Sequence, residues 1–138
     1  MLKRLFGAKT AAPDSAEACF RLGSELAQSG QLDQAIALLR RAVELAPQGA
    51  PAYHNLASAY RDRGDAPSAL AAYREAARLD PRFPEAHYGV GLMLMGERRY
   101  DEALASLRRA IELNPRFAEA RLQAGNAHMG VGDWQAAL

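Results

Sequence analysis

Three prolines recur at a constant interval, because Pro47, Pro81 and Pro115 lie 34 residues apart. Each proline ends a similar seven-residue string, which reads RAVELAP, EAARLDP and RAIELNP in chain order. A fixed period of this length is typical of solenoids, in which each repeat is a small supersecondary unit stacked on the next. The period therefore predicts a repeat array in place of an ordinary globular order of elements.

The period also predicts the boundaries of the repeats. With Ala16 as position 1, full blocks cover residues 16–49, 50–83 and 84–117, and a partial fourth block covers 118–138. Residues 1–15 precede the blocks as a tail or linker. Small residues fill two rows, which are Gly23, Ala57, Gly91 and Gly125 at position 8, and Ala35, Ala69, Ala103 and Ala137 at position 20. Such rows predict a close crossing of two helices in each block.

Each block has the pattern of two helices joined by a turn. Apolar residues at positions 4, 7, 8 and 11 have helical spacing, and a second set lies at positions 20, 21, 24, 27, 28 and 30. Gly30, Gly64 and Gly132 stand between the sets at position 15, where the third block has Arg98 and carries Gly96 two residues earlier. The proline at position 32 ends the second helix, since the residue before a proline disfavours α geometry.

Composition narrows the class of protein. The chain of 138 residues is 49% hydrophobic and 24% charged with a net charge of +1, which indicates an ordered chain and offers no basic face for nucleic acid. The single cysteine, Cys19, excludes an internal disulfide. Residues 1–6 lack the apolar run of a secretory signal, and no run approaches the roughly 20 residues of a membrane span. We expect a soluble, cytoplasmic protein.

The rows resemble the signature of the tetratricopeptide repeat (TPR), which combines large, small and aromatic residues at fixed positions and a proline at position 32. The second block carries the full set, at Tyr53, Leu56, Ala57, Tyr60, Ala69, Tyr73, Ala76 and Pro81. The fourth block departs furthest, with Arg121, Ala124 and His128 at positions 4, 7 and 11. The resemblance covers residues 16–138. It implies an all-α fold, a right-handed superhelical solenoid of antiparallel helix pairs, whose concave groove holds a peptide or partner protein without catalysis.

Helical geometry marks the side chains that would line this groove. At about 100° per residue, positions 2, 5, 6, 9, 12 and 13 of each first helix point away from the hairpin core. The candidate groove residues are Phe20, Arg21, Ser24, His54, Asn55, Ser58, Tyr88, Leu92, Met95, Leu122, Gln123 and Asn126. The later first helices are apolar on nearly every side, which predicts a groove that accepts apolar side chains. The alternative is that the position-5 side chains pack against neighbouring hairpins.

Asn55 is the polar candidate of most interest, because a carboxamide both donates and accepts hydrogen bonds and so suits a ligand backbone. The segment from His54 to Leu56 resembles one rung of the asparagine ladder in TPR segments of protein O-linked N-acetylglucosamine transferases. The alternative is a solvated asparagine. TPR domains that bind chaperone C-termini use a set of Lys, Asn and Arg residues at five positions. This chain matches the set only at Asn55, and the five positions hold Phe20, Ser24, Asn55, Glu85 and Gly89.

No constellation in the sequence predicts chemistry. His54, His87 and His128 lack metal-ligand spacing on one helix, and Cys19 occupies a core position without a neighbouring base. The glycines around Val90 follow no strand, as a phosphate loop would require. We therefore expect no catalytic residue, no metal and no cofactor.

The two ends of the array carry separate expectations. Asp14 is predicted to cap the first helix, with Glu17 completing a capping box. The array stops at Leu138 without a polar cap, so we expect either a fragment of a longer protein or self-association through the last hairpin or the groove.

The main hypothesis is a non-catalytic module that binds a protein or peptide. The alternatives are the substrate-recruiting arm of a larger glycosyltransferase or methyltransferase, and a self-association module.

Overall fold

A computed structural model describes residues 13–132, and this part of the chain is built from helices. In chain order they are α1 (Ala16–Gln28), α2 (Leu32–Leu45), α3 (Ala50–Arg63), α4 (Ala66–Leu79), α5 (Pro84–Gly96), α6 (Tyr100–Leu113) and α7 (Ala118–Gly130). The chain divides into two compact units, Met1–Ala69 and Leu70–Leu138, with the boundary inside α4.

The helix starts follow the period of the sequence. The first helices of the blocks begin at residues 16, 50, 84 and 118, and the second helices begin at residues 32, 66 and 100, so each series advances by 34. Pro51 and Pro84 lie in the first turns of α3 and α5, where a missing N–H removes no helical hydrogen bond. The repeated string of the sequence is therefore expressed as a repeated helix pair.

The cap of α1 differs from the prediction. Ser15, not Asp14, is the N-cap, and its hydroxyl accepts a hydrogen bond of 3.1 Å from the N–H of Ala18. Glu17 then falls in the first turn as the only acidic residue, one position too early to close a capping box. Aspartate and serine are equally good caps, so sequence preference alone does not choose between neighbours.

The turn inside each hairpin requires a left-handed residue at position 15. Gly30, Gly64 and Gly132 have φ of 83°, 94° and 82°, and Arg98 takes the same role at φ 59°. Glycine enters this region freely, whereas an L-residue with a Cβ does so at a cost. Arg98 is the only non-glycine residue with positive φ among those described. Gly96, which the sequence offered as the replacement, is instead the last residue of α5.

The core of the Met1–Ala69 unit lies where α1 crosses α2. A Cβ on Gly23 would lie 2.8 Å from Cγ of Leu39, so only glycine lets these helices approach so closely. Leu39 and Leu38 are fully buried, and Leu56 of α3 joins Leu39 in the same apolar cluster. The predicted close crossing at position 8 is therefore present in the first hairpin.

The core of the Leu70–Leu138 unit repeats this crossing. A Cβ on Gly91 of α5 would lie 2.7 Å from Cγ of Leu107 on α6. Gly89, which the helical projection placed on the groove side, is also buried, and a Cβ there would overlap the ring of Tyr73. Position 6 of the third block thus packs against the preceding helix and offers no side chain to a ligand.

Position 4 of the first helix contacts the preceding proline. His87 Nε2 lies 2.8 Å from the carbonyl oxygen of Pro81, and Arg121 Nε donates to the oxygen of Pro115 at the same distance. Cys19 Sγ makes the equivalent contact with Pro13 at 3.5 Å. Cys19 is a buried core residue, and this burial raises the pKa of its thiol. A thiol with a raised pKa is a poor nucleophile.

Charged residues on the outer faces form exposed ion pairs. The pairs of spacing i, i+3 are Arg41 with Glu44 (3.4 Å), Arg78 with Glu75 (2.5 Å), Arg99 with Glu102 (2.6 Å) and Arg109 with Glu112 (3.2 Å). A hydrogen bond from the Arg78 guanidinium lowers the pKa of Glu75, and one from Arg99 lowers the pKa of Glu102. Exposed pairs of this kind contribute little to stability, so the fold depends on its apolar crossings.

Candidate functional site

Six of the predicted groove residues lie in the Met1–Ala69 unit, on α1 and α3. Phe20, Arg21 and Ser24 belong to α1, and His54, Asn55 and Ser58 belong to α3. Arg21 is exposed, whereas the other five side chains are half-buried. Half-burial is what a binding face requires, since such side chains are held by the fold and still reach a ligand.

A short hydrogen-bond chain joins the two helices. The Ser24 hydroxyl donates to the carbonyl oxygen of Phe20 at 2.7 Å, and Asn55 Nδ2 donates to Ser24 Oγ at 2.9 Å. Asn55 Oδ1 lies 3.3 Å from Nδ1 of His54. The orientation of the Asn55 amide is therefore fixed by the protein. One N–H and one acceptor lone pair of the amide remain in excess of these bonds.

A shallow hollow of about 190 Å³ lies over this chain, and we name it the Asn55 groove. It is lined by Ser24, Ala27, Gln28, Asn55, Ser58, Ala59 and Asp62. The lining side chains are mostly small or polar, which leaves room for a backbone to approach Asn55. Asp62 brings a negative charge to one end, where it also pairs with Arg61 at 3.4 Å.

The other six predicted residues lie in the Leu70–Leu138 unit, on α5 and α7. Leu92, Met95 and Gln123 are half-buried, and Asn126 is exposed. Leu122 is 63% exposed. Met129, at position 12 of the fourth block and on the same helix, is 62% exposed. On α7, two apolar side chains are therefore exposed beside the polar Asn126.

Tyr88, at position 5 of the third block, packs against another aromatic ring. Its ring is packed against that of Phe117, with centroids 4.9 Å apart and an interplanar angle of 37°. Phe117 is the N-cap of α7, so Tyr88 contacts the start of the next hairpin. Of the two interpretations offered for position 5, packing against a neighbouring hairpin describes this contact.

The described part of the chain lacks two other kinds of functional feature. Between residues 13 and 132, no group of three His, Cys, Asp or Glu side chains is arranged to hold a metal ion. Over the same residues, no helix has the length and hydropathy needed to cross a membrane.

Family models match nearly the whole repeat array. Two models described as tetratricopeptide repeat match residues 54–115 and 94–138, and one described as TPR repeat matches residues 23–60. The chain belongs to the tetratricopeptide repeat family. With the helix order above, this confirms the predicted all-α solenoid of TPR hairpins. No curated protein matches the sequence.

Solved structures give the same TPR fold. Two crystal structures of MamA are similar to this chain. One is 28% identical with a TM-score of 0.83, over 88% of this chain and 67% of that one, and the other is 27% identical with a TM-score of 0.87, over 99% and 78%. The first TPR of Spaghetti (RPAP3), bound to the HSP90 peptide SRMEEVD, is 21% identical with a TM-score of 0.83, over 86% and 94%. At that identity the likeness concerns the fold alone.

Proposed function

We propose that this TPR protein is a non-catalytic interaction module that binds an extended polypeptide in the Asn55 groove. The observation that carries the proposal is the hydrogen bond from Asn55 to Ser24, which holds a carboxamide in a fixed orientation in the lining of a hollow. A carboxamide presents one donor and one acceptor side by side, which matches the N–H and C=O of a peptide group.

The chemistry of the groove favours backbone recognition over recognition of an acidic terminus. Phe20 occupies the place where a carboxylate clamp has Lys, Ser24 occupies the place where it has Asn, and Asp62 adds negative charge to the groove itself. The similar TPR structure with a bound HSP90 peptide supports peptide binding as a function of this fold. We therefore expect this chain to bind peptides whether or not they present a C-terminal carboxylate.

A peptide-display selection against the purified chain tests the proposal. Selected peptides are then measured by fluorescence anisotropy against the native protein and Asn55→Ala. Loss of one or two backbone hydrogen bonds should weaken binding by about 5- to 30-fold. Asp33→Asn is the matched control, because Asp33 lies on α2, where the change removes only an exposed ion pair with Arg63 of α3 and should leave binding unchanged.

Ser24→Ala sharpens the same test. This variant keeps the Asn55 amide and removes only the hydroxyl that orients it, so its binding should fall between native and Asn55→Ala. Melting temperatures of all variants show whether the fold is intact. Native affinity in a folded Asn55→Ala protein would refute backbone recognition by this residue.

A second candidate function is self-association through α7. It is favoured by the exposure of Leu122 and Met129, which lie seven residues apart and so share one face of the helix. We expect Leu122→Glu to shift a sedimentation equilibrium towards monomer, with Glu119→Gln on the same helix as the control. A strictly monomeric native chain at high micromolar concentration would exclude this function.

A further inference from the structure

The last residue of the full blocks, at position 34, is phenylalanine in two blocks and glycine in the first. At position 34, Phe83 and Phe117 are the N-caps of α5 and α7, whereas Gly49 is the N-cap of α3. The three residues share nearly one backbone conformation, with φ, ψ of −98°, 95° for Phe83, −75°, 86° for Phe117 and −83°, 89° for Gly49. A negative φ suits any L-residue, so the turn itself does not require glycine there.

Space around Gly49 also permits a side chain. An ideal Cβ on Gly49 would lie 3.4 Å from the carbonyl oxygen of Ala46 and 3.7 Å from Cβ of Ala52, which are ordinary contact distances. Neither the backbone geometry nor the contacts of a Cβ therefore require glycine at this position.

The ring that Gly49 lacks has a known neighbour in the third repeat. There the position-34 ring of Phe117 packs on the position-5 ring of Tyr88 at 4.9 Å. The position-5 residue of the first repeat is Phe20, which is half-buried at the edge of the core of its unit. Phe20 thus has the place of Tyr88 without a position-34 ring to pack against.

A cavity of about 240 Å³ is found at this point, and we name it the Phe20 pocket. Its lining includes Phe20, Ala42, Ala46, Gly49, Pro51 and Ala52, with Glu17 as the only charged member. An apolar cavity of roughly 150 Å³ is large enough to bind benzene. The Phe20 pocket therefore has the size and the lining to receive an aromatic ring.

We propose that the Phe20 pocket receives an aromatic side chain of the bound polypeptide, which packs on Phe20 as Phe117 packs on Tyr88. The proposal rests on the proposed function, because the Phe20 pocket and the Asn55 groove are both lined by residues of α1 and α3. Phe20 lies one helical turn before Ser24 on α1, and Pro51 lies one turn before Asn55 on α3. One turn is about 5.4 Å, so an extended ligand with its backbone at Asn55 places a side chain one or two residues away in the pocket.

The chain offers its own variant for testing this occupant. Gly49→Phe restores the ring that the other repeats carry at position 34 and should fill the pocket from within. Gly49→Ala is the matched control, since it adds a Cβ and no ring. We expect Gly49→Phe to weaken the binding of an aromatic-containing selected peptide by about tenfold or more. Gly49→Ala should weaken this binding much less than Gly49→Phe does, and Asp33→Asn, which lies outside the pocket, should bind as native. Circular dichroism checks that both variants fold.

A small probe tests the pocket without any selected peptide. N-acetyl-phenylalanine amide is titrated into the isotope-labelled full chain, and amide shifts are followed by NMR. Saturable shifts should centre on Phe20 and Gly49, should vanish in Gly49→Phe, and should be absent with N-acetyl-alanine amide. If Gly49→Phe fails to fold, Phe20→Ala replaces it and should likewise weaken binding of the phenylalanine probe.

The outcomes separate the two proposals. If Gly49→Phe binds the probe and the peptides as native does, the aromatic pocket is refuted. If Asn55→Ala still weakens the peptides in that case, the proposed function stands without the pocket. Equal shifts from the alanine and phenylalanine probes, or probe shifts elsewhere on the chain, would also overturn the aromatic assignment.

Discussion

Replacing Arg98 with glycine should stabilise the protein, because Arg98 is the non-glycine residue in a left-handed turn where the other repeats have glycine. Its φ is 59°, against 82° to 94° at the positive-φ glycines Gly30, Gly64 and Gly132. A left-handed L-residue costs about 1–2 kcal/mol, and the greater flexibility of unfolded glycine offsets about 0.5–1 kcal/mol of the gain. The expected net effect of Arg98→Gly is therefore roughly 0.5–1 kcal/mol of added stability.

Urea unfolding followed by circular dichroism measures this gain. The midpoint should rise without a change in slope, and the melting temperature should increase by about 2–4 °C. Arg98→Ala separates the backbone from the side chain, because alanine keeps the strained φ and should leave the midpoint close to native. Gly64→Arg makes the reverse change in the second hairpin and should destabilise. A stability of Arg98→Gly equal to or below native would refute the assignment of strain to this turn.

Two further predictions concern packing and pH. Gly91→Leu should cost about 1–3 kcal/mol in urea unfolding, because even its Cβ would lie 2.7 Å from Leu107, whereas Gly96→Ala, with no neighbouring atom within 4 Å, should be tolerated. The pKa of Asp65 is lowered by hydrogen bonds from the hydroxyl and the N–H of Ser68. Its contribution is present above the unfolded pKa near 4 and is lost as the pH falls through the folded value, so Asp65→Asn should flatten the acid side of a stability profile.

The sequence predicted the helices well because their signals are local and repeated. Prolines, small rows and turn glycines each act within a few residues, and three copies reinforce one another, so helix starts fall on the predicted 34-residue series. Arg98 shows the strength of this register, since it adopts the left-handed conformation against its own preference.

The side-chain contacts of the site were less predictable because they join distant positions. Tyr88 packs on Phe117, 29 residues later, and Gly89 is buried by Tyr73 of the preceding helix. A helical projection of one helix contains neither neighbour. The Phe20 pocket did have a sequence signal, namely Gly49 in a row otherwise occupied by phenylalanine, and reading that row would have located it.

Chemical-shift mapping of a selected peptide on the labelled chain tests the central claim, binding on the face of α1 and α3, most directly. The largest perturbations should fall at Ser24, Asn55 and Ser58, with a further set at Phe20 and Gly49 when the peptide contains an aromatic residue. Perturbations confined to the outer residues of α2, around Arg40 and Glu44, with Asn55 unmoved, would contradict it.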